Sequence, residues 1–186
     1  SYLRAQADPQ KLKVVYNTML GKLWEDRGEL VDEDTVMGRC EDYGRREDGT
    51  PIELPDGVLV LTCGVDTQDN RLEYEVLGHG RYGETWGIKK GIIMGDPHYP
   101  EVWQRLDDVI EHTYRYKEPD KGLRISLTFV DSGGHKTQDV YRECAKRLNK
   151  RVFAIKGQGG DGIPYTKPPS KVNIIVNRKA IGKAWL

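Results

Sequence analysis

Two apolar runs, each ending in an aspartate, constrain this chain more than any other feature. Residues 58–65 read VLVLTCGV and lead into Asp66; residues 125–130 read ISLTFV and lead into Asp131-Ser132-Gly133-Gly134. Runs of this length and content are strands. The first is apolar enough for a central strand covered on both faces. A carboxylate placed directly after a buried strand loses hydration unless it is paired or meets a cation. Two such carboxylates on two strands of one sheet are a common way to hold a hard divalent metal. A pair of Mg²⁺ or Mn²⁺ ions ~4 Å apart would activate water and stabilise a leaving oxygen. The competing reading is local. Asp before Ser-Gly-Gly makes a good turn, and Asp66 can cap a hairpin. The residues alone leave both readings open.

The rest of the chain supplies a fold around these runs. Asp8-Pro9 reads as a helix start, and Leu12, Val15, Tyr16, Met19, Leu20 and Leu23 follow at helical spacing, so residues 9–24 are expected to be an amphipathic helix. Residues 25–57 read as a charged linker with one short helix near 33–40. Leu72, Tyr74 and Val76 alternate with Arg71, Glu73 and Glu75, which makes a half-buried strand. Turn residues at 67–70 join it to the first run as a hairpin. Residues 84–94 read as a third strand, weakened by Gly87 and Gly91. Pro97 and Pro100 open a helix whose face carries Val102, Leu106, Val109 and Ile110. Val140, Cys144 and Leu148 mark a second helix, and residues 151–156 (RVFAIK) a further strand. The order β-β-β-α-β-α-β is that of an α/β, ribonuclease H-like mixed sheet over residues 58–186, with an N-terminal helical linker over 1–57. Residues 171–176 read as a last strand, and Leu186 stands inside a sequence that looks ready to continue as a helix.

Composition excludes several classes. No run approaches the ~18 apolar residues of a membrane span, so no membrane partner is expected. Cys40, Cys63 and Cys144 are widely spaced with no CxxC pair, and the four histidines show no ligand spacing; this argues against a zinc site and a disulfide framework. No GxxxxGK[ST] occurs, so the glycine-rich segment after Lys156 is not a nucleotide loop. That segment, GQGGDGIPYTKPPS, holds four Gly and three Pro in 14 residues and is too long for an ordinary connection. Trp24, Trp86, Trp103 and Trp185 are expected in packing, not as base-stacking platforms.

Charge is uneven along the chain. Residues 1–131 carry 17 Lys/Arg against 26 Asp/Glu, and residues 132–186 carry 12 against 3. A basic C-terminal part suits a polyanion partner, although opposite halves also attract each other. Lys156 ends the fifth strand; it could contact a scissile phosphate or be a lysine at a solvated strand end, and the residues leave both readings open. His135 and Lys136 follow the Asp131 turn and approach the same place. Lys167, Lys171, Arg178, Lys179 and Lys183 form a candidate surface for a nucleic-acid backbone. A third metal-binding carboxylate is wanted. Asp69, Glu73, Glu75, Asp139 and Asp161 are available and no choice among them is compelling; Glu73 and Glu75 fit a solvated strand face better.

Five blocks carry a resemblance: YNTMLGKLWEDRGE, CGVDTQDNRLEYEVLGHG, TWGIKKGIIMGDP, FVDSGGHKTQDVY and VFAIKGQGG. In order and spacing they are similar to the large terminase subunit of tailed bacteriophages, the lambda-type branch. The resemblance implies a ribonuclease H-like nuclease that cuts concatemeric viral DNA as the genome is packaged in the host cytoplasm. It implies double-stranded DNA, the small terminase subunit and the portal or procapsid as partners, with an ATPase motor upstream. Asp66 and Asp131 match the family's first two metal-binding acids, and Lys156 a lysine that assists the site. No match to the family's last catalytic acid is found before Leu186, so these residues alone are expected to be weakly active. A related nuclease or recombinase of the same fold, and a non-catalytic docking module, are the rival readings.

Overall fold

The computed structural model describes residues 9–19, 33–160 and 162–186. It divides into two compact units, Ser1–Asp42 and Tyr43–Leu186. The first unit contains helix α1 (Pro9–Thr18) and the single-turn helix α2 (Glu33–Met37). Pro9 stands at the first helical position of α1, where its missing N–H costs nothing. The expected continuation of α1 through residues 20–24 lies outside the described residues. Glu33 and Asp34 place negative charge in the first turn of α2, where the helix dipole favours it.

The second unit starts earlier than position 58, where the sequence suggested the domain would begin. Leu54 and Val58 are fully buried, and the backbone N–H groups of Glu53 and Leu54 both donate to the Arg115 carbonyl. At its centre is a five-stranded sheet. Strands β1 (Val60–Thr67), β2 (Arg71–His79) and β3 (Thr85–Met94) form an antiparallel meander. Helix α3 (Pro100–Glu111) and a small ribbon of β4 (Tyr114–Arg115) and β5 (Gly122–Leu123) follow. Strand β6 (Ile125–Asp131) then runs parallel to β1, helix α4 (Thr137–Lys146) crosses over, and β7 (Val152–Ile155) runs parallel to β6. The spatial order is β3-β2-β1-β6-β7. This is the mixed-sheet architecture of ribonuclease H-like nucleases, as the order of elements predicted.

One expectation about the sheet is corrected. The first apolar run is not covered on both faces. In β1 only alternate residues, Leu61, Cys63 and Val65, are buried, while Leu59 and Val60 are exposed. The reason is that α3 packs on β3 and β6, and α4 on β6 and β7, while Leu72, Val76, Val130, Val152 and Ala154 join the same core as the helix faces. The opposite face, carrying Phe129, Ile155 and Ile92, is open.

Two buried groups tie the helices together. Trp103 of α3 is fully buried, and its indole Nε1 donates to the Pro97 carbonyl at 2.7 Å. Arg147, just after α4, donates to Glu143 Oε2 at 2.7 Å and to both oxygens of Asp107 on α3 at 2.9 Å. Its guanidinium also lies 5.7 Å from the Trp103 ring.

The C-terminus holds a second correction. The residues leading up to Leu186 are not helical. They form strand β9 (Lys179–Trp185), paired antiparallel with β8 (Lys171–Val176). Asn177 and Arg178 make the two-residue connection, both with positive φ (49° and 63°), which is the signature of a type I′ hairpin turn. The β-branched run Ile174-Ile175-Val176 before this turn thus finds its backbone partners in a returning strand.

Candidate active site

The parallel ladder between β1 and β6 runs to the pair Val65–Val130, and both side chains are buried beneath the helices. Side chains alternate along a strand, so the next residue of each strand, Asp66 and Asp131, lies on the open face. Adjacent strands are ~4.8 Å apart. The fold therefore sets Asp66 and Asp131 at neighbouring positions at one end of the sheet.

Their hydrogen bonds leave capacity to spare. Asp66 Oδ2 accepts from the Gln68 side-chain amide at 2.5 Å, and Asp131 Oδ1 accepts from the Gly133 backbone N–H at 3.0 Å. The second bond is the turn that Asp-Ser-Gly-Gly suggested. It occupies one oxygen, so the turn and metal readings of Asp131 are compatible. The donors are hard oxygens, which suits Mg²⁺ or Mn²⁺. Mg²⁺ is commonly held by one or two carboxylates with water and substrate phosphate filling the other positions, and this pair fits that pattern.

Among the described residues, no three His, Cys, Asp or Glu side chains gather into a metal-holding group. Glu73 is the direct cross-strand partner of Asp66, but its Oε1 accepts from Arg71 Nε at 2.6 Å. Glu75 stands opposite Gly64, one step further along β1. Asp69 lies 3.6 Å from His135 Nδ1. Asp139, in the first turn of α4, is held by Arg142 at 2.8 Å and His98 at 3.1 Å. Asp161 lies outside the described residues.

Three loops are laced together around the pair. The Ser132 backbone N–H and hydroxyl both donate to the Ile155 carbonyl at 2.8 Å, which locks the end of β6 to the end of β7. Lys156 is the next residue after Ile155 and is exposed there. Gly95 N–H donates to the Asn70 carbonyl at 2.8 Å, joining the loop after β3 to the β1–β2 turn. Lys136 Nζ donates to Asp96 Oδ1 at 2.7 Å, joining the loop after β6 to the loop after β3. That hydrogen bond pulls the Asp96 carboxyl below its usual range and lifts Lys136 above its own. Asp96 was missed in the sequence; its signal was an acid in Gly-Asp-Pro directly after a third strand. Lys136 lies in the loop after β6, where it pairs with Asp96.

The candidate basic residues separate. Lys167 donates to the Gln158 side chain at 2.6 Å. Lys171 Nζ lies 5.0 Å from the centre of the Trp185 ring, while Arg178 and Lys179 sit at the β8–β9 turn.

The whole chain, residues 1–186, matches the family model of the terminase large subunit gpA endonuclease domain. The chain belongs to this family. It is 34% identical over 175 residues to the terminase large subunit of Escherichia phage lambda, covering 92% of this chain and 26% of that protein. It is also 34% identical over 173 residues to the terminase large subunit of Enterobacteria phage P21, with the same shares covered. The chain thus spans about a quarter of the length of these relatives. No solved structure matches it. In this terminase endonuclease domain Asp66 and Asp131 stand at neighbouring strand ends on the open face of the sheet.

Proposed function

We propose that this domain hydrolyses phosphodiester bonds of double-stranded DNA with divalent metal held by Asp66 and Asp131. The observation that carries the reading is the pairing of these two carboxylates on adjacent parallel strands, on the uncovered face, in a member of a terminase endonuclease family. Bound Mg²⁺ or Mn²⁺ would supply a water made nucleophilic at neutral pH and a positive charge for the leaving oxygen. Asp66 and Asp131 orient that charge. Lys156, the residue after Ile155 at the end of β7, would contact the scissile phosphate as a point charge. The Ser132–Ile155 and Lys136–Asp96 bonds keep the loops from drifting as substrate enters.

In the full protein the substrate is concatemeric viral DNA, cut during packaging in the host cytoplasm. The small terminase subunit, the portal or procapsid and an upstream ATPase motor are the partners.

Nicking of supercoiled plasmid tests the reading. It compares this chain, its Asp66→Asn variant and a version extended past Leu186, each with Mn²⁺, Mg²⁺ or EDTA. Metal-dependent nicking that Asp66→Asn abolishes supports it. No nicking by any version, with the fold intact and no metal bound, supports a docking module instead.

A further inference from the structure

The β8–β9 hairpin has an anchored half and a projecting half. Ile174 and Ala184 are buried, and Ser170 and Leu186 exchange two backbone hydrogen bonds of 2.9 Å that close its base. The cleft beside α4 is lined by Cys144, Leu148, Lys171, Ala184 and Trp185, so the base of the hairpin lies along the C-terminal half of that helix. Further out the register shifts between Ile174 and Ile175. From there every residue, 175–183, is exposed.

The direction of the projection is set by one bond. Ile175 N–H donates to the Gln138 side-chain oxygen at 2.6 Å, and Gln138 is in the first turn of α4. The hairpin therefore runs along α4 from its C-terminal end toward its N-terminus. That N-terminus follows directly on the Asp131 loop. The turn at Asn177-Arg178 continues past Gln138 by roughly 7–10 Å at ~3.3 Å per residue. The tip therefore points toward the end of the sheet at which β6 closes with Asp131.

The chemistry of the tip is unusual for a turn. A type I′ turn prefers Asn followed by Gly, because both residues need positive φ. Asn177 obeys; Arg178 occupies the glycine position at φ 63°, a conformation that costs an L side chain about 1–2 kcal/mol. The cationic Lys179 follows. Residues 162–186 contain five Lys/Arg and no Asp/Glu. Ile175, Val176 and Ile181 give the same projecting ribbon an exposed apolar flank. A local rule broken at an exposed tip, in favour of positive charge, marks a functional surface.

We propose that the β8–β9 hairpin is a DNA-docking ribbon, with Arg178 and Lys179 seated on phosphates of a duplex that crosses the Asp131 end of the sheet. The major groove of B-DNA admits a two-stranded ribbon of this kind, and apolar side chains in it meet thymine methyl groups. The cations fix the register of the duplex without reading its sequence. The inference rests on the proposed action on double-stranded DNA and adds the surface that positions the substrate.

The test is equilibrium binding of a fluorescent 30-bp duplex, with Ca²⁺ in place of Mg²⁺, across a salt series. Wild-type chain is compared with Arg178→Asn/Lys179→Gln, and with Lys117→Gln/Lys121→Gln as an equal charge change on the β4–β5 ribbon. Asn is chosen at 178 because it tolerates positive φ. The hairpin variant is expected to bind at least 10-fold more weakly, with the slope of log K on log salt reduced by about 2, near one per lost phosphate contact. The control variant is expected to stay within 2-fold of wild type. Equal binding and equal slope for the hairpin variant, with wild type binding normally, overturn the ribbon alone. Equal losses in both variants overturn it too, since they reduce it to overall charge. No duplex binding by wild type overturns the ribbon and the reading of DNA as substrate together.

Discussion

Asp66 and Asp131 directly follow Val65 and Val130, which are neighbours in the parallel ladder. Without a cation the two carboxylates repel each other, so neutralising one relieves strain in the charge pattern. Asp66→Asn is expected to melt in EDTA at the wild-type temperature or slightly above. Added Mn²⁺ should raise the wild-type melting temperature by mass action and leave the variant where it was. A variant that loses stability in EDTA as much as it loses the metal response points to a structural Asp66.

The Glu143–Arg147 pair makes a different prediction. Glu143 is almost fully buried. Burial alone raises its carboxyl, but hydrogen bonds from Lys146 and Arg147 outweigh this and hold it below the ordinary range. A depressed carboxylate contributes stability above its unfolded value, ~4.3, and that contribution is lost as pH falls through the folded value. Arg147→Met removes the buried partner and is expected to cost ~3–5 kcal/mol at neutral pH. Lys146 and Arg142 still face Glu143 in the variant, so its carboxyl is held down less strongly and the gain in stability from pH 4 to 7 is expected to be smaller than in wild type. Urea denaturation at both pH values reads the slope.

Two strand glycines should respond oppositely to alanine. A Cβ on Gly91 would fall 2.5 Å from the Tyr74 hydroxyl and 2.6 Å from its ring, whereas nothing lies within 4 Å of a Cβ on Gly64. Gly91→Ala is expected to destabilise by ~1–3 kcal/mol as the ring is displaced. Gly64→Ala should be neutral or stabilising by up to ~1 kcal/mol, since it restricts the unfolded chain. Chemical denaturation of the pair checks both.

The thiols divide by burial. Cys63 and Cys144 are buried, and desolvation pushes both up to about 12; Cys40 is exposed. A thiol reagent at pH 8 is expected to modify Cys40 in the native protein and all three after denaturation. Fast native labelling of a second thiol contradicts the packing of α4 on the sheet.

Much of this fold was legible because periodicity and punctuation agreed. Alternation in β2, Pro100 at the start of α3 and the apolar stretch of β6 each name their element. Gly91 weakened the third strand in the sequence because its reason is remote: the Tyr74 ring lies across it from the neighbouring strand. The covering of β1 was misread because an apolar run does not say on which side helices pack. The C-terminal strand was missed because its turn carries Arg178 where glycine would have announced a hairpin. At the site, Asp66 and Asp131 were visible as strand-end acids. Asp96 was not, since its tie to Lys136 spans 40 residues.

Binding of Mn²⁺ to wild type, Asp66→Asn and Asp131→Asn, followed by electron paramagnetic resonance, tests the central claim most directly. A shared site predicts that wild type takes up Mn²⁺ and that each single substitution weakens uptake by 10-fold or more. Wild-type affinity in both variants would contradict a metal held between Asp66 and Asp131.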